Sequence, residues 1–137
     1  MKNFFGLTTI LVLGVILVAC SGKERQLIRA DVQKVNQEGN YEDDVIMITD
    51  KEKLDSIKRS LENVIWDPHT KAEMARNEDI LATLFYTFDG NMPERLYQYR
   101  IWFSVNNATI ISNNDNEGYG RILDKEIVSE LKENLLN

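Results

Sequence analysis

The chain has 137 residues, room for one domain. Its 43% hydrophobic and 28% charged residues exclude a disordered chain, and 16 Lys and Arg against 22 Asp and Glu leave a net charge of -6 that argues against a nucleic-acid binder. One Cys excludes an intramolecular disulfide framework and a Cys-cluster zinc site, and one His excludes a site built on two imidazoles.

Residues 1–19 read as a targeting segment rather than part of the fold. Lys2 gives a positive start, an apolar run rich in Phe, Leu, Ile and Val follows, and the next charge is Lys23. The run ends in Leu17-Val18-Ala19-Cys20, followed by Ser21-Gly22. That tetrad resembles the lipobox of bacterial lipoprotein precursors. The resemblance implies that the Cys20 thiol receives a diacylglycerol, that a peptidase cleaves just before it, and that acyl chains hold the protein on the extracytoplasmic face of the cell membrane. Two or more such chains give stable anchoring. Two other readings compete: a plain transmembrane helix, since the uncharged stretch is long enough to span a bilayer, and an ordinary cleaved signal. Residues 20–26 then form the lipidated Cys and a short polar tether, whose reach is at most about 20 Å. Residues 27–137 form a single extracytoplasmic domain.

Within that domain, Ile28, Ala30 and Val32 alternate with polar residues and predict a strand from Leu27. Gln37 to Asn40 supply a turn, and Val45 to Ile48 a second strand, so the pair reads as a hairpin. Thr49 and Glu52 have capping-box spacing, and Leu54, Ile57, Leu61 and Val64 form a helical stripe that should end near Trp66, before Pro68. Asp67 to Asp79 is a polar connection, in which Ala72, Met74 and Ala75 suit a short edge strand or a helical turn. Ile80 to Phe88 and Arg95 to Val105 alternate strongly, with Tyr97, Tyr99, Ile101, Phe103 and Val105 on one face. Asp89, Gly90, Asn91 and Pro93 mark the turn between these strands, and Asn106-Asn107 a second turn, before a strand from Ala108 to Ser112. Asp124 caps a last helix with the stripe Ile127, Val128, Leu131 and Leu135.

The predicted order is β-β-α-β-β-β-α. It gives an α+β domain: an antiparallel sheet of about five strands with two helices packed on one face. With its lipobox, the Thr49-Asp50-Lys51-Glu52 helix start, Tyr99-Arg100-Ile101-Trp102-Phe103 and Gly118-Tyr119-Gly120-Arg121-Ile122-Leu123, the chain resembles small lipoproteins of Bacillus-type Gram-positive bacteria. The resemblance implies membrane attachment and carries over no site beyond Cys20.

Chemistry-bearing motifs are scarce. No G-x-S-x-G elbow or phosphate loop is present, and His69 sits in a polar connection where solvation is its simplest role. Ser129-Glu130-Leu131-Lys132 matches S-x-x-K by letter only, without its companion motifs. The loop from Asn113 to Gly118 offers oxygens at Asn113, Asp115 and Glu117, with Gly118 sixth and Asp124 twelfth, an echo of a calcium loop. Asn stands first and Asp twelfth, and a strand precedes, so a polar turn is the simpler reading, and no metal or other cofactor is expected. Phe85, Gln98, Arg100 and Trp102 share the sheet face opposite the tyrosines and form a candidate interaction face. Alternatively, Trp102 and Phe85 pack across strands beneath the connection after Pro68.

The expected function is therefore a membrane-anchored, non-enzymatic module that binds a protein or envelope component. The alternatives are a small envelope enzyme using carboxylates, which would place an Asp or Glu of raised pKa in a pocket, and an inhibitor of a secreted enzyme, which would present a protruding loop such as 113–118.

Overall fold

The computed structural model describes residues 25–89 and 91–137. The lipobox, the signal segment and Gly90 lie outside the described residues. Among the described residues, no helix is long and apolar enough to cross a membrane.

Among the described residues, seven strands form one antiparallel sheet: β1 (Gln26–Val35), β2 (Tyr41–Ile48), β3 (Ile65–Asp67), β4 (Ile80–Thr87), β5 (Arg95–Phe103), β6 (Ala108–Ser112) and β7 (Tyr119–Ile122). Two helices, α1 (Lys51–Glu62) and α2 (Lys125–Leu136), complete the domain. Across the sheet the strands run β2-β1-β4-β5-β6-β7-β3. The α+β class holds. The strand count and element order differ from expectation, because the residues around the expected helix end at Trp66 and those just before Asp124 form strands, β3 and β7.

One face of the sheet meets both helices. Ala30, Val32, Leu84, Tyr99, Ile101 and Ile110 from the strands share a buried cluster with Leu54, Ile57, Leu61, Val128, Leu131 and Leu135 from the helices. The period of two in β4 and the period near four in the helices thus point at the same core. β1 departs once from strict alternation. Leu27 stands opposite Tyr86 and Arg29 opposite Phe85, so Ile28 is the extra residue of a bulge and Leu27 takes the inward place instead. At the other end, Val105 does not continue β5. It sits in the turn to β6, is 84% exposed, and the Ser104 N–H closes that turn on the Asn107 carbonyl at 2.9 Å.

The chain crosses the domain twice between β2 and β4. α1 carries it from the β2 edge to the β3 edge on the helical face. The irregular connection from Pro68 to Asp79 returns it to the centre on the other face, where the Trp102 indole N–H donates to the Arg76 carbonyl at 2.8 Å. Ala72, Met74 and Ala75 form neither strand nor helix there.

Candidate functional site

The returning connection ends in Arg76-Asn77-Glu78-Asp79, and its hydrogen bonds fix it firmly. Arg76 grips Asp79 with both terminal nitrogens, at 2.7 and 3.1 Å, and also donates to the Phe103 carbonyl at 3.0 Å. Asp79 accepts the Phe103 N–H at 2.7 Å, its own N–H donates to the Ile101 carbonyl at 2.9 Å, and its carbonyl accepts from Val35 at 3.1 Å. These bonds tie the segment to the ends of β1 and β5. They set the next residue back, Glu78, on the open face.

Glu78 is a charged residue with only 7% exposure. The Tyr41 hydroxyl donates to one carboxylate oxygen at 3.1 Å, and the Arg100 guanidinium donates to the other at 3.0 Å. Burial pushes the Glu78 carboxyl up, but the bond and charge of Arg100, its own backbone N–H and Tyr41 together hold it below the ordinary 4.5. Burial and the bond to Glu78 raise the Tyr41 phenol, and the same carboxylate raises Arg100. At neutral pH the centre is a carboxylate, a guanidinium and a neutral phenol.

Residues of this centre line two pockets. One, of about 380 Å³, is lined by Tyr41, Leu81, Gln98, Arg100, Ile111, Ser112 and Asn113. The other borders Glu78 itself, with Arg76, Asn77, Asp79 and residues 35–37. The strand register explains the first. Arg100 stands between Leu81 on β4 and Ile111 on β6, so a charged head is flanked by apolar side chains on a sheet face.

Of the expected interaction face, the structure keeps Gln98 and Arg100 together at the pocket and removes the others from it. Trp102 is 2% exposed beneath the connection, and Phe85 carries the Arg29 guanidinium 3.9 Å above its ring. Neither offers a free aromatic surface.

The calcium-like loop is likewise spent on internal bonds. Asn113 accepts the Gln98 N–H at 2.9 Å. Glu117 turns inward, accepting the Tyr99 hydroxyl at 3.0 and 3.3 Å and the Ser112 hydroxyl at 3.0 Å. Gly118 adopts a positive φ of 67° against Pro68, and Asp124 caps α2. Asn113 and Glu117 are therefore engaged with separate partners, and no cluster of three or more His, Cys, Asp or Glu suited to a metal exists among the described residues. A loop held inward in this way is also a poor inhibitory protrusion. His69 lies exposed in the connection, its N–H donating to the Asp67 carboxylate at 3.2 Å.

Sequence reasoning missed Glu78 and Tyr41. Neither lies in a motif, and they are brought together across 37 positions, Tyr41 opening β2 and Glu78 standing just before β4. Among the carboxylates with a resolved shift, Glu78, Asp79 and Asp67 are all lowered, so the raised acid expected of a carboxylate enzyme is not what this centre holds.

No family model and no curated protein matches the chain. Among solved structures it is similar to the crystal structure of a thioesterase-like protein from Clostridium sporogenes, with 26% identity, a TM-score of 0.53, and coverage of 81% of this chain and 95% of that one. That likeness overturns the expected non-enzymatic binding module, because the neighbour's description points to an enzyme.

Proposed function

We propose that the chain is a small hydrolase for an ester or thioester bond, working where Glu78, Arg100 and Tyr41 meet. The observation that carries this reading is the buried, ionised Glu78 carboxylate, which lines one pocket and is held by two donors that line another. The likeness to a thioesterase-like protein supports it. A carboxylate offers about four lone-pair sites. Tyr41, Arg100 and the Glu78 N–H take three, which leaves one for a water.

In this reading Glu78 takes a proton from that water as its oxygen attacks the carbonyl carbon. The negative charge that develops on the carbonyl oxygen is held by Arg100 N–H groups not engaged with Glu78. The tetrahedral intermediate then collapses, the bond from carbon to sulfur or oxygen breaks, and Glu78 returns its proton to the leaving thiolate or alkoxide. The products are a carboxylic acid and a thiol or alcohol, with no further reactant. A base whose pKa lies below the usual range is fully ionised at neutral pH, at the expense of basicity. The rate should therefore be flat through neutrality and fall only as pH drops through a value under 4.5.

The test is release of thiol from a short acyl thioester by the full chain. The wild type should exceed buffer hydrolysis, and Glu78→Gln should lose about 100-fold or more in kcat, with an unchanged circular-dichroism spectrum. Equal rates in the two proteins would refute the assignment.

We also propose that this domain is tethered at the membrane through acyl chains on Cys20, a reading that rests on the Leu17-Val18-Ala19-Cys20 tetrad. Cys20→Ser should abolish both palmitate labelling and membrane fractionation in cells. An unlabelled wild type would dismiss the anchor and leave the hydrolase reading standing.

A further inference from the structure

The described chain begins beside one end of the sheet. Gln26 stands opposite Thr87, so β1 starts where β4 ends and the turn to β5 follows. Arg25 is held at that end by three contacts. Its guanidinium lies 4.7 Å from the Tyr86 ring centroid and 5.5 Å from that of Tyr97, and its carbonyl accepts from Lys58 Nζ at 3.1 Å. Five residue steps separate Arg25 from Cys20, and five steps of extended chain span at most about 18 Å. An acyl group on Cys20 therefore keeps this end of the sheet within that distance of a bilayer. The other end is not tied in this way. Ile80, where β4 starts, pairs with Lys34, about 23 Å along the strand from Thr87, and Glu78 lies two residues before it.

The hairpin that joins β4 to β5 projects at the tethered end. β5 pairs with β6 only as far back as Tyr99, opposite Ser112, and Gln98 bonds to Asn113. Among the described residues, no strand lies beside Arg95, Leu96 and Tyr97 on that side. Met92 in the turn is 49% exposed and Leu96 is 51% exposed, and the Arg95 guanidinium lies 4.8 Å over the Phe88 ring. Exposed apolar side chains beside cations laid on aromatic rings suit the boundary between hydrocarbon and headgroups, where the apolar parts sink and the charged heads stay wet. Asp89 and Glu94 offset Arg95 within the hairpin. Apolar contact, rather than attraction to anionic lipid, is therefore what this surface offers.

Resting on the Cys20 anchor proposed above, we infer that the β4–β5 hairpin is the surface that meets the lipid bilayer. Met92 and Leu96 sit at the acyl boundary, and the Glu78 centre, a strand length away, stands on the end that faces the aqueous phase.

Methionine oxidation reads this contact in the full chain without altering the hairpin. Met92 and Met47 are exposed to similar degrees, 49% and 61%, but Met47 stands opposite Asp31, which pairs with Thr83 midway along β4. Membranes bearing the wild type, and the aqueous fraction holding Cys20→Ser, are treated briefly with dilute peroxide, and the sulfoxide at each methionine is read by mass spectrometry. The ratio of Met92 to Met47 oxidation should be about fivefold or more lower in the membrane-bound protein. Leu96→Glu should restore the ratio while palmitate labelling persists. In a palmitate-labelled wild type, a ratio equal to that of Cys20→Ser, protection of Met47 instead, or a low ratio that Leu96→Glu leaves unchanged would overturn this inference and leave the anchor standing. A wild type that takes up no palmitate would bring down the anchor and this inference with it.

Discussion

Gly120 illustrates how one residue can hold two distant parts of this fold together. A Cβ added there would lie 2.4 Å from Val64 Cγ1 and 2.5 Å from Trp66 Cε3. Both are stiff groups on the segment that ends α1 and forms β3, so neither can swing aside. Trp66 in turn stacks on Tyr99, with ring centroids 6.0 Å apart. Gly120→Ala should therefore force β3 away from β7 or displace the Trp66 ring, at a cost of about 1–3 kcal/mol. Urea unfolding followed by tryptophan fluorescence measures it. A variant within about 0.5 kcal/mol of wild type would show that β3 yields without strain. The same residue explains a gap in what the sequence discloses. A glycine between Tyr119 and Arg121 weakens any strand pattern, and its reason, an indole packed against its backbone, lies 54 positions away in the chain.

At the scale of elements, the long strands and both helices are legible because their apolar periods run for several repeats. β4 alternates buried and half-buried residues over its whole length, α1 buries Leu54, Ile57 and Leu61 of its expected stripe with Val64 buried just past its end, and α2 buries Val128, Leu131 and Leu135 while Ile127 is only partly covered. β3 and β7 were illegible because 3 and 4 residues cannot establish a period, and they become strands only by pairing with each other and with β6. The site was illegible for a related reason. Glu78 belongs to no element and meets Tyr41 across 37 positions and Arg100 across 22, so nothing local marks it. Local chemistry does fix the helix starts. Asp124 accepts the N–H groups of Glu126 and Ile127, at 2.9 and 3.3 Å, while Asp50, one residue beyond the expected Thr49, caps α1 through Lys53 at 3.0 Å. Asp124→Ala should cost about 1 kcal/mol and Asp50→Ala a similar amount, measured as shifts in the urea midpoint at constant slope. The caps lie on opposite helices, so the double variant should show nearly additive losses. A strongly non-additive result would mean that α1 and α2 depend on each other's ends. The Ser56 hydroxyl, which donates to Glu130 at 2.6 Å and accepts from Asn134 at 2.8 Å, is the contact that would couple them.

For the molecule as a whole, the acid limb of stability should trace to the connection that builds the site. Burial opposes ionisation of both Glu78 and Asp79, yet both are held below their ordinary values of 4.5 and 3.8 by Arg100, Arg76 and backbone N–H groups. A carboxyl whose folded pKa is depressed binds more protons when unfolded. Its contribution is complete above the unfolded value and disappears as pH falls through the folded one. Stability should thus hold from neutrality down to about 4.5 and decline below it, with the Asp79 share lost at lower pH than the unfolded value of 3.8. Solvent screens both shares, since Arg100 is about half exposed and the Arg76–Asp79 pair is more open still at 51% and 37%, while Asp79 also keeps the Phe103 N–H. Glu78→Gln should be less stable than wild type at pH 7 and should show a shallower decline between pH 4.5 and 3, read from urea midpoints across that range. Parallel acid limbs in the two proteins would mean that the depressed Glu78 carboxyl contributes nothing to folding. The same titration then separates structure from chemistry: if hydrolysis is lost at a higher pH than folding, a protonation in the site stops the reaction while the domain stands, and if the two losses coincide, the site fails only because the connection that carries Glu78 has come away from β5.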